Sequence, residues 1–246
     1  MHQQLADATF RILAGNSSGS GFSYLYDNVV ITNHHVIEPH LTHSEPIFAV
    51  TEAGIGLPAR LVSYSPKDQL DFAVLELQHA LPAGRVVLKN AASPRTSRGT
   101  RVLFSGFPHG IPHLLVHEAV VSAPLDQHAF YLDGSINGGN SGGPIVDSQT
   151  GEVVGIVTQR RFMGGDSLEA FAPQVNALSN QCRAVANRGA AAIHGINFGG
   201  FAALMAQGLD AISKVIQSNA NSGIGIGFHI QFVNEELRKL GAFPEA

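Results

Sequence analysis

The 246-residue chain has few cysteines to cross-link it and no long apolar segment to anchor it in a membrane. Its single cysteine, Cys182, cannot form a disulfide within the chain, so the fold must be stable without one. No run of about 18 apolar residues occurs, so no membrane-spanning helix is expected. The formal net charge is −4 without a basic stripe, which argues against a nucleic-acid partner.

The first residues also lack the pattern of a secretory leader. The segment MHQQLADATFRIL has no basic stretch followed by an apolar run. Together with the absence of a disulfide, this favours the cytoplasm as the location of the protein.

Residues 8–160 are typical of an all-β protein. Short runs rich in Val, Ile, Phe, Tyr and Leu alternate with Gly, Pro, Asn and Asp. Hydrophobic residues make up 44% of the chain, which is enough for a sizeable core. The pattern therefore predicts barrels or a sandwich.

The pattern changes near Gly164, where apolar residues begin to recur every three or four positions. This spacing predicts two amphipathic helices, whose apolar stripes contain Leu168, Phe171, Val175, Leu178, Cys182 and Val185, and then Phe201, Leu204, Met205, Leu209, Ile212, Val215 and Ile216. The simplest interpretation is a hairpin in which the stripes pack against each other. A β pattern returns at residues 223–230 and a short helix follows, so the hairpin is inserted before the last strand.

Glycines crowd around Ser141 in the segment Gly139–Pro144, just before a predicted strand. Glycine permits turns that are closed to other residues and lets another chain approach closely. Such a turn can direct several N–H groups at one point, as an oxyanion hole requires. Taken alone, the segment is also compatible with a flexible loop.

A serine nucleophile needs a base, because its hydroxyl is weak at neutral pH. His34 and His35 follow a β-branched run, and strand ends often carry functional groups. Asp71 opens an apolar run at residues 72–77, where a carboxylate is costly to bury unless it is paired, and an imidazole is a suitable partner. These residues are candidates for the nucleophile, the base and the acid that orients the base.

Segments spread over residues 18–230 resemble the trypsin-like (chymotrypsin-fold) serine peptidases, and within them the HtrA branch. In chain order they are SGSGF at 18–22, ITNHHV at 31–36, DFAVL at 71–75, DGSINGGNSGG at 133–143, GEVVGIVT at 151–158 and IGFHI at 226–230. The resemblance implies a mainly β fold of two six-stranded antiparallel β-barrels, with the α-helical hairpin inserted in the second barrel.

On this basis the whole chain is one trypsin-like protease domain. The first barrel is expected at about 8–90, the second at about 98–163 and 223–232, the insert at about 164–222 and a last helix at about 233–241. The resemblance assigns His35, Asp71 and Ser141 to a catalytic triad and leaves His34 in a non-catalytic position. It assigns the oxyanion hole to the backbone N–H groups of Gly139 and Ser141.

The same resemblance implies substrate contacts at Ser135, Ile136, Asn137, Thr158, Gln159 and Arg160, the last three by strand pairing. Trypsins that cleave after Arg or Lys carry Asp at the position of Ser135. The neutral Ser135 and the apolar Ile136 therefore predict cleavage after small or medium apolar residues, because a cationic side chain would find no ion pair. Arg160 predicts a preference for acidic residues nearby. The resemblance thus implies hydrolysis of polypeptides through an acyl-enzyme, and no cofactor is expected.

Two departures from the family pattern bear on regulation. Asn140 replaces the Asp that pairs with a newly cut N-terminus in trypsins, so activation by such cleavage is not expected. Only residues 231–246 follow the last matching segment, too few for the PDZ domain that HtrA proteins usually add. An alternative function is a latent or non-cleaving binding protein of the protease fold, controlled by the helical insert.

The predicted tip of the hairpin, residues 190–201, carries no formal charge if His194 is neutral. An exposed apolar patch usually marks a contact site, so the insert is expected to form a homo-oligomer or to pack over the rim of the cleft. His109, His113 and His117 are spaced by four, which would suit a metal on a helix, but Gly110 and Pro112 break a helix there. No metal is therefore expected.

Overall fold

The computed structural model describes residues 1–91, 94, 96–160, 165–187, 192–193, 196–219 and 223–241. Six antiparallel strands close the first barrel in the order β1-β2-β3-β6-β5-β4: β1 (Thr9–Ala14), β2 (Ser17–Ser23), β3 (Val29–Thr32), β4 (Ile47–Val50), β5 (Gly56–Ser65) and β6 (Phe72–Leu77). Between β3 and β4 lie a short 3-10 helix (His34–Val36) and α2 (Glu38–His43), and α1 (His2–Ala8) precedes β1.

The second barrel closes in the order β10-β11-β14-β9-β8-β7. Its strands are β7 (Arg101–Gly106), β8 (Leu115–Pro124), β9 (Ala129–Asp133), β10 (Pro144–Asp147), β11 (Val153–Arg160) and β14 (Ile224–His229). The helix α5 (Gln231–Leu240) follows β14. The predicted fold class, two closed six-stranded antiparallel barrels, is confirmed.

Each barrel has its own apolar core, and a third cluster joins them. Phe10, Ile12 and Leu75 are fully buried inside the first barrel, and Phe104 and Phe130 inside the second. The third cluster combines side chains of both barrels with the buried face of α5, namely Phe22, Tyr24, Ile31, Val146, Val233 and Leu237. The two barrels and α5 therefore share one continuous packing surface, which holds the cleft between them.

Residues 161–222 form a separate compact unit. It contains α3 (Gly165–Ala186), the short strands β12 (Ala192–Ile193) and β13 (Ile196–Asn197), and α4 (Phe198–Asn219). Residues 190–191 and 194–195 of the predicted apolar tip lie outside the described residues.

The two predicted helices are present and pack on each other, but not through the large residues of their stripes. Among the side chains of the two helices that the structure describes, the buried ones are Val175, Ser179, Ala202, Ala206 and Ser213, of which only Val175 belongs to a predicted stripe. The Ser179 hydroxyl donates to Asp210 at 2.6 Å, and Arg183 forms an ion pair with the same carboxylate. Small side chains on both helices leave the large ones outside, so the expectation that the stripes bury each other is wrong for Leu178 and Leu204, which stay 46% and 67% exposed.

The two barrels approach each other closely at Gly142, the residue after Ser141. Its φ is +87°, and a Cβ there would overlap the carbonyl oxygen of Ser20 and lie 2.5 Å from Oγ1 of Thr32. The backbone N–H of Ser20 donates to the Ser141 carbonyl at 2.8 Å across the same joint. Only glycine combines this backbone conformation with this approach.

We expect Gly142→Ala to lower the free energy of unfolding more than a matched glycine substitution. Gly84 has a φ of +84° with no atom within 4 Å of its missing Cβ, so Gly84→Ala adds backbone strain alone. The expected loss is about 1–2 kcal/mol for Gly84→Ala and about 2–5 kcal/mol for Gly142→Ala, which also overpacks the joint. Urea denaturation followed by far-UV circular dichroism measures both, and equal losses would contradict a close approach at Gly142.

Candidate active site

Asp71 lies immediately before β6 and is fully buried, and its carboxylate accepts three hydrogen bonds. Oδ1 accepts the backbone N–H of His35 at 3.1 Å, and Oδ2 accepts Nδ1–H of the His35 ring at 2.8 Å. The hydroxyl of Thr158, from the second barrel, donates to Oδ2 at 2.7 Å. These donors compensate for the burial of the carboxylate. A carboxylate acceptor at Nδ1 fixes the tautomer in which Nε2 is free to take a proton.

The backbone around Asp71 is held in an uncommon conformation. Its φ is +45°, in the left-handed region that few non-glycine residues adopt. The Asn33 side-chain amide donates to the Asp71 carbonyl at 2.6 Å, and the Asp71 N–H donates to the Pro66 carbonyl at 3.0 Å. Strained backbone that the surrounding structure holds in place is frequent at functional sites.

The two adjacent histidines have different surroundings. The His35 ring meets Asp71 and remains 25% exposed. The His34 ring lies beside Tyr64, with their centroids 5.1 Å apart, and its buried Nδ1 has no hydrogen-bond partner in the described part of the chain. The structure thus brings His35, and not His34, to the carboxylate.

Ser141 lies in the loop between β9 and β10 and shares a cleft with His35. The cleft has a volume of about 910 Å³ and is lined by Asn16, Ser17, Ser18, His35, Val36, Glu38, Pro39, Thr42, His43, His109, Gly138, Gly139 and Ser141. The Ser141 hydroxyl donates to the Thr158 carbonyl at 3.0 Å. Catalytic hydrogen bonds are often long or absent before a substrate is bound, so this geometry is compatible with a nucleophile at rest.

The loop before Ser141 offers two backbone donors. Among the hydrogen bonds of the described residues, none uses the N–H of Gly139 or of Ser141. Gly139 has a φ of +96°, and a Cβ there would overlap the Phe107 carbonyl oxygen, so the loop cannot accept a larger residue without moving. Unused N–H groups beside a nucleophile can stabilise an oxyanion.

The three consecutive residues predicted to contact the side chain before the cut have different surroundings. Ile136 is only 2% exposed and belongs to the core of the second barrel. Asn137 is half-buried, and its carbonyl accepts the Asn140 N–H at 3.1 Å within the Ser141 loop. Ser135 is exposed and lines a different cavity of about 590 Å³ that includes none of His35, Asp71 and Ser141. The other residues of its lining are Met1, His2, Arg101, Val102, Leu103, Glu118, Ala119, Val120, Asp133, Gly134 and Ser148.

The predicted substrate-pairing strand is the end of β11. Thr158 is buried, and its hydroxyl and carbonyl face Asp71 and Ser141, as described above. Gln159 and Arg160 pair with Ile226 and Gly225 of β14 through the backbone, and their side chains lie outside the described part of the structure.

The sequence did not single out two residues that contact the Ser141 loop. The hydroxyl of Ser20 donates to the Gly139 carbonyl at 2.6 Å, and the backbone N–H of His109 donates to the Gly138 carbonyl at 2.7 Å. The only signal for Ser20 was a polar residue between two glycines in a strand that reads as buried. The spacing of His109 with His113 and His117 suggests a metal ligand and gives no signal for this contact.

The described residues contain no group of three His, Cys, Asp or Glu side chains that could share a metal ion. His117 lies in β8 with its ring stacked on Phe104 at 4.8 Å, and burial lowers the pKa of its imidazole. None of the described helices is long and apolar enough to cross a membrane.

Comparisons with known proteins agree with this architecture. A family model described as a trypsin-like peptidase domain matches residues 19–156. A probable periplasmic serine endoprotease DegP-like of Pseudomonas putida (strain GB-1) is 35% identical over 151 residues, which is 58% of this chain and 29% of the relative. Its counterpart in Brucella suis biovar 1 (strain 1330) is 32% identical over 151 residues, or 58% of this chain and 27% of that protein. The chain thus spans less than a third of the length of these curated relatives.

Two solved structures share the fold. The serine endoprotease of Yersinia pestis superimposes with a TM-score of 0.60 at 20% identity, covering 98% of this chain and 66% of that one. An inactive mutant form of Rv3671c from M. tuberculosis H37Rv gives a TM-score of 0.57 at 20% identity, covering 98% and 90% of the two chains.

The expectation of a cytoplasmic location is wrong, because the curated relatives are named as periplasmic enzymes. That expectation depended partly on the absence of a disulfide. Two closed barrels with their own cores are stable without a disulfide, so the cysteine count does not report the compartment.

The region matched by the family model includes His35, the buried Asp71 that its ring contacts, and Ser141, which lines the same cleft as His35. The barrels on either side of that cleft have the strand number and closure that the resemblance predicted. The chain therefore belongs to the trypsin-like peptidase domain family, and the predicted resemblance to it is confirmed.

Proposed function

We propose that the protein is a serine endopeptidase in which Ser141, His35 and Asp71 form the catalytic triad. The observation that carries this proposal is the buried Asp71 carboxylate, which accepts Nδ1–H of His35 at 2.8 Å and so leaves Nε2 as the basic nitrogen of a residue that lines the cleft. The names of the relatives support the same reaction class, and they support the periplasm as the place where the protein acts.

The proposed reaction has two halves. In the first, Ser141 Oγ attacks the scissile carbonyl while His35 Nε2 takes its proton, and the N–H groups of Gly139 and Ser141 stabilise the oxyanion. The C–N bond then breaks as His35 returns the proton to the leaving amine, and an acyl-enzyme remains. In the second half, water replaces the serine hydroxyl as nucleophile, the acid product leaves and Ser141 is restored. Asp71 stabilises the imidazolium in both halves, and no step needs a cofactor.

A latent form of the same enzyme is a second candidate. It is favoured by the contact of the Ser141 hydroxyl with the Thr158 carbonyl at 3.0 Å, since this hydroxyl must turn toward His35 before it can react. In the latent form, a partner that binds the protein would be needed for that turn. In the proposed active form, the substrate alone is enough.

We expect Ser141→Ala and His35→Ala each to reduce kcat for a peptide substrate by about 10⁴-fold or more, because the triad acts as a unit. The double variant should lose little further activity. His34→Ala is the matched control, since its ring packs beside Tyr64 and does not reach the carboxylate, and it should keep most of the activity. An active His35→Ala enzyme with an inactive His34→Ala enzyme would overturn the assignment of the base.

We propose that Ile136, more than Ser135, restricts the residue before the cut to small or medium apolar side chains. In β14, Gly225 pairs with Arg160 at the end of β11, along which the substrate backbone would pair. A Cβ on Gly225 would overlap Cδ1 of Ile136, so the isoleucine fills the space beside that strand end. Ser135, in contrast, lines a cavity without triad residues.

We expect Ile136→Val to raise the ratio of kcat/KM for Leu over Ala before the cut by about tenfold, because one methylene of pocket space is worth this order of discrimination. Ser135→Ala should leave the ratio unchanged. A peptide library read by mass spectrometry measures both, and a thermal unfolding curve confirms that the core variant is folded. A library dominated by Arg or Lys before the cut, or an unchanged ratio in Ile136→Val, would contradict the proposal.

We also propose that the α3–α4 hairpin joins two copies of the chain. Its large apolar residues are 40–67% exposed, namely Phe171, Leu178, Val185, Phe198, Phe201, Leu204, Met205 and Ile212. On α4, Phe198, Phe201, Met205 and Ile212 follow the three-and-four spacing of a coiled-coil seam, which favours a helix as the partner.

The chemistry of this apolar face suits a second copy of the same hairpin. Eight large apolar side chains of the hairpin are exposed, and an apolar centre is typical of an interface between copies of one chain. None of these residues is charged, so the same face of another copy can pack on it around a two-fold axis without repulsion.

We expect the full chain to elute as a dimer in size-exclusion chromatography with light scattering, and Phe201→Glu to elute as a monomer, because Phe201 lies in the proposed seam. Phe201 is 55% exposed, so the change should not disturb the hairpin itself. Gln207→Glu places the same charge at an exposed polar position of α4 and should remain dimeric. A monomeric wild type, or a dimeric Phe201→Glu protein, would refute the interface.

A further inference from the structure

Ser20 is a polar residue in a part of β2 where neighbouring side chains pack closely against the backbone. It is fully buried and lies between Gly19 and Gly21. A Cβ on Gly19 would lie 2.5 Å from Cγ2 of Val36, and one on Gly21 would lie 2.7 Å from Cγ1 of Ile12. Ser20 is therefore the one position in this triplet where the first barrel extends a side chain toward the second.

The side chain and the backbone of Ser20 both bind the Ser141 loop. The Ser20 hydroxyl accepts the Phe107 N–H at 2.9 Å and donates to the Gly139 carbonyl at 2.6 Å. The Ser20 backbone N–H donates to the Ser141 carbonyl at 2.8 Å. One residue of the first barrel thus holds carbonyls on both sides of Asn140.

The remaining carbonyls of the loop are held by other donors. The Gly138 carbonyl accepts the His109 N–H at 2.7 Å, and the Asn140 carbonyl accepts the Gly143 N–H at 2.9 Å. Every carbonyl of residues 138–141 therefore has a donor. Because a peptide unit is planar, fixing its carbonyl also fixes the direction of its N–H. The hydrogen bonds to the Gly138 and Asn140 carbonyls therefore orient the N–H groups of Gly139 and Ser141. The two hydrogen bonds from Ser20 fix the neighbouring peptide units, whose carbonyls belong to Gly139 and Ser141.

We propose that Ser20 is a positioning residue of the reaction: its hydroxyl, acting across the two barrels, holds the Gly139 peptide so that the N–H groups of Gly139 and Ser141 stay directed at the oxyanion. The inference rests on the proposed assignment of those donors. Among the bonds that hold the four carbonyls, this is the one made by a side chain, so it can be removed without altering the backbone. Ser20 itself touches no reacting atom.

The test compares Ser20→Ala with Ser23→Ala. Ser23 lies in the same strand, is also fully buried, and its hydroxyl donates to the carbonyls of Ala8 and Val86, away from the Ser141 loop. Both variants lose a buried hydroxyl, so a purely structural role should affect them alike. We expect kcat of Ser20→Ala to fall about 10- to 100-fold with KM changed less than about threefold, since loop misplacement weakens transition-state binding alone. Ser23→Ala should keep kcat within about threefold.

A transition-state analogue gives a second measurement. A peptidyl trifluoromethyl ketone forms a hemiketal oxyanion with Ser141, so its Ki should rise for Ser20→Ala in proportion to the loss of kcat/KM and should be unchanged for Ser23→Ala. If Ser20→Ala does not fold, Ser20→Cys and Ser23→Cys, which keep a weaker donor of similar size, are compared in the same way. Equal kcat and Ki values within either pair would overturn the inference. An active Ser141→Ala enzyme would instead overturn the proposed function, so the two failures are distinguishable.

Discussion

The structure depends most on the burial of one carboxylate. Asp71 is fully buried, and leaving its charge without donors would cost several kcal/mol. Its donors come from both barrels: the backbone and ring of His35 from the first and the hydroxyl of Thr158 from the second. The barrels must therefore dock in one register for the carboxylate to be satisfied. The same register sets the distance between His35 and the loop that carries Ser141.

Thr158 contacts both Asp71 and Ser141. Its hydroxyl donates to Asp71, while its carbonyl accepts the hydroxyl of Ser141 at 3.0 Å. Glycine makes this close arrangement possible, since no other residue fits at Gly142 against the Ser20 carbonyl. The contacts of Ser20 with the loop on one side and of Thr158 on the other confine Ser141 between the two barrels. The resting hydroxyl of Ser141 donates to the Thr158 carbonyl and must turn away from it to be directed at His35.

The motifs that predicted the two barrels also led to the proposed triad, because each reflects a local requirement: a glycine-rich turn for a nucleophile, a strand end for a base, and an acid that opens a buried run. The sequence did not predict the role of Ser20, since that role depends on which residue of the other barrel lies opposite. Periodicity revealed the two helices of the insert but not which face of each meets the other. Small residues such as Ala202 and Ala206 form the contact, and the large apolar residues remain outside. The compartment was predicted wrongly because a lack of disulfides is compatible with any location when two closed cores hold the fold.

The central claim is that Ser141 is a nucleophile activated by His35. Labelling of the purified chain with a fluorophosphonate probe, followed by peptide mass spectrometry, tests it most directly. The account predicts one adduct per folded chain, located on Ser141, which forms rapidly without any partner and at least about 10³-fold more slowly in His35→Ala. Absence of an adduct, an adduct on another residue, or equal labelling rates in the wild type and His35→Ala would contradict it.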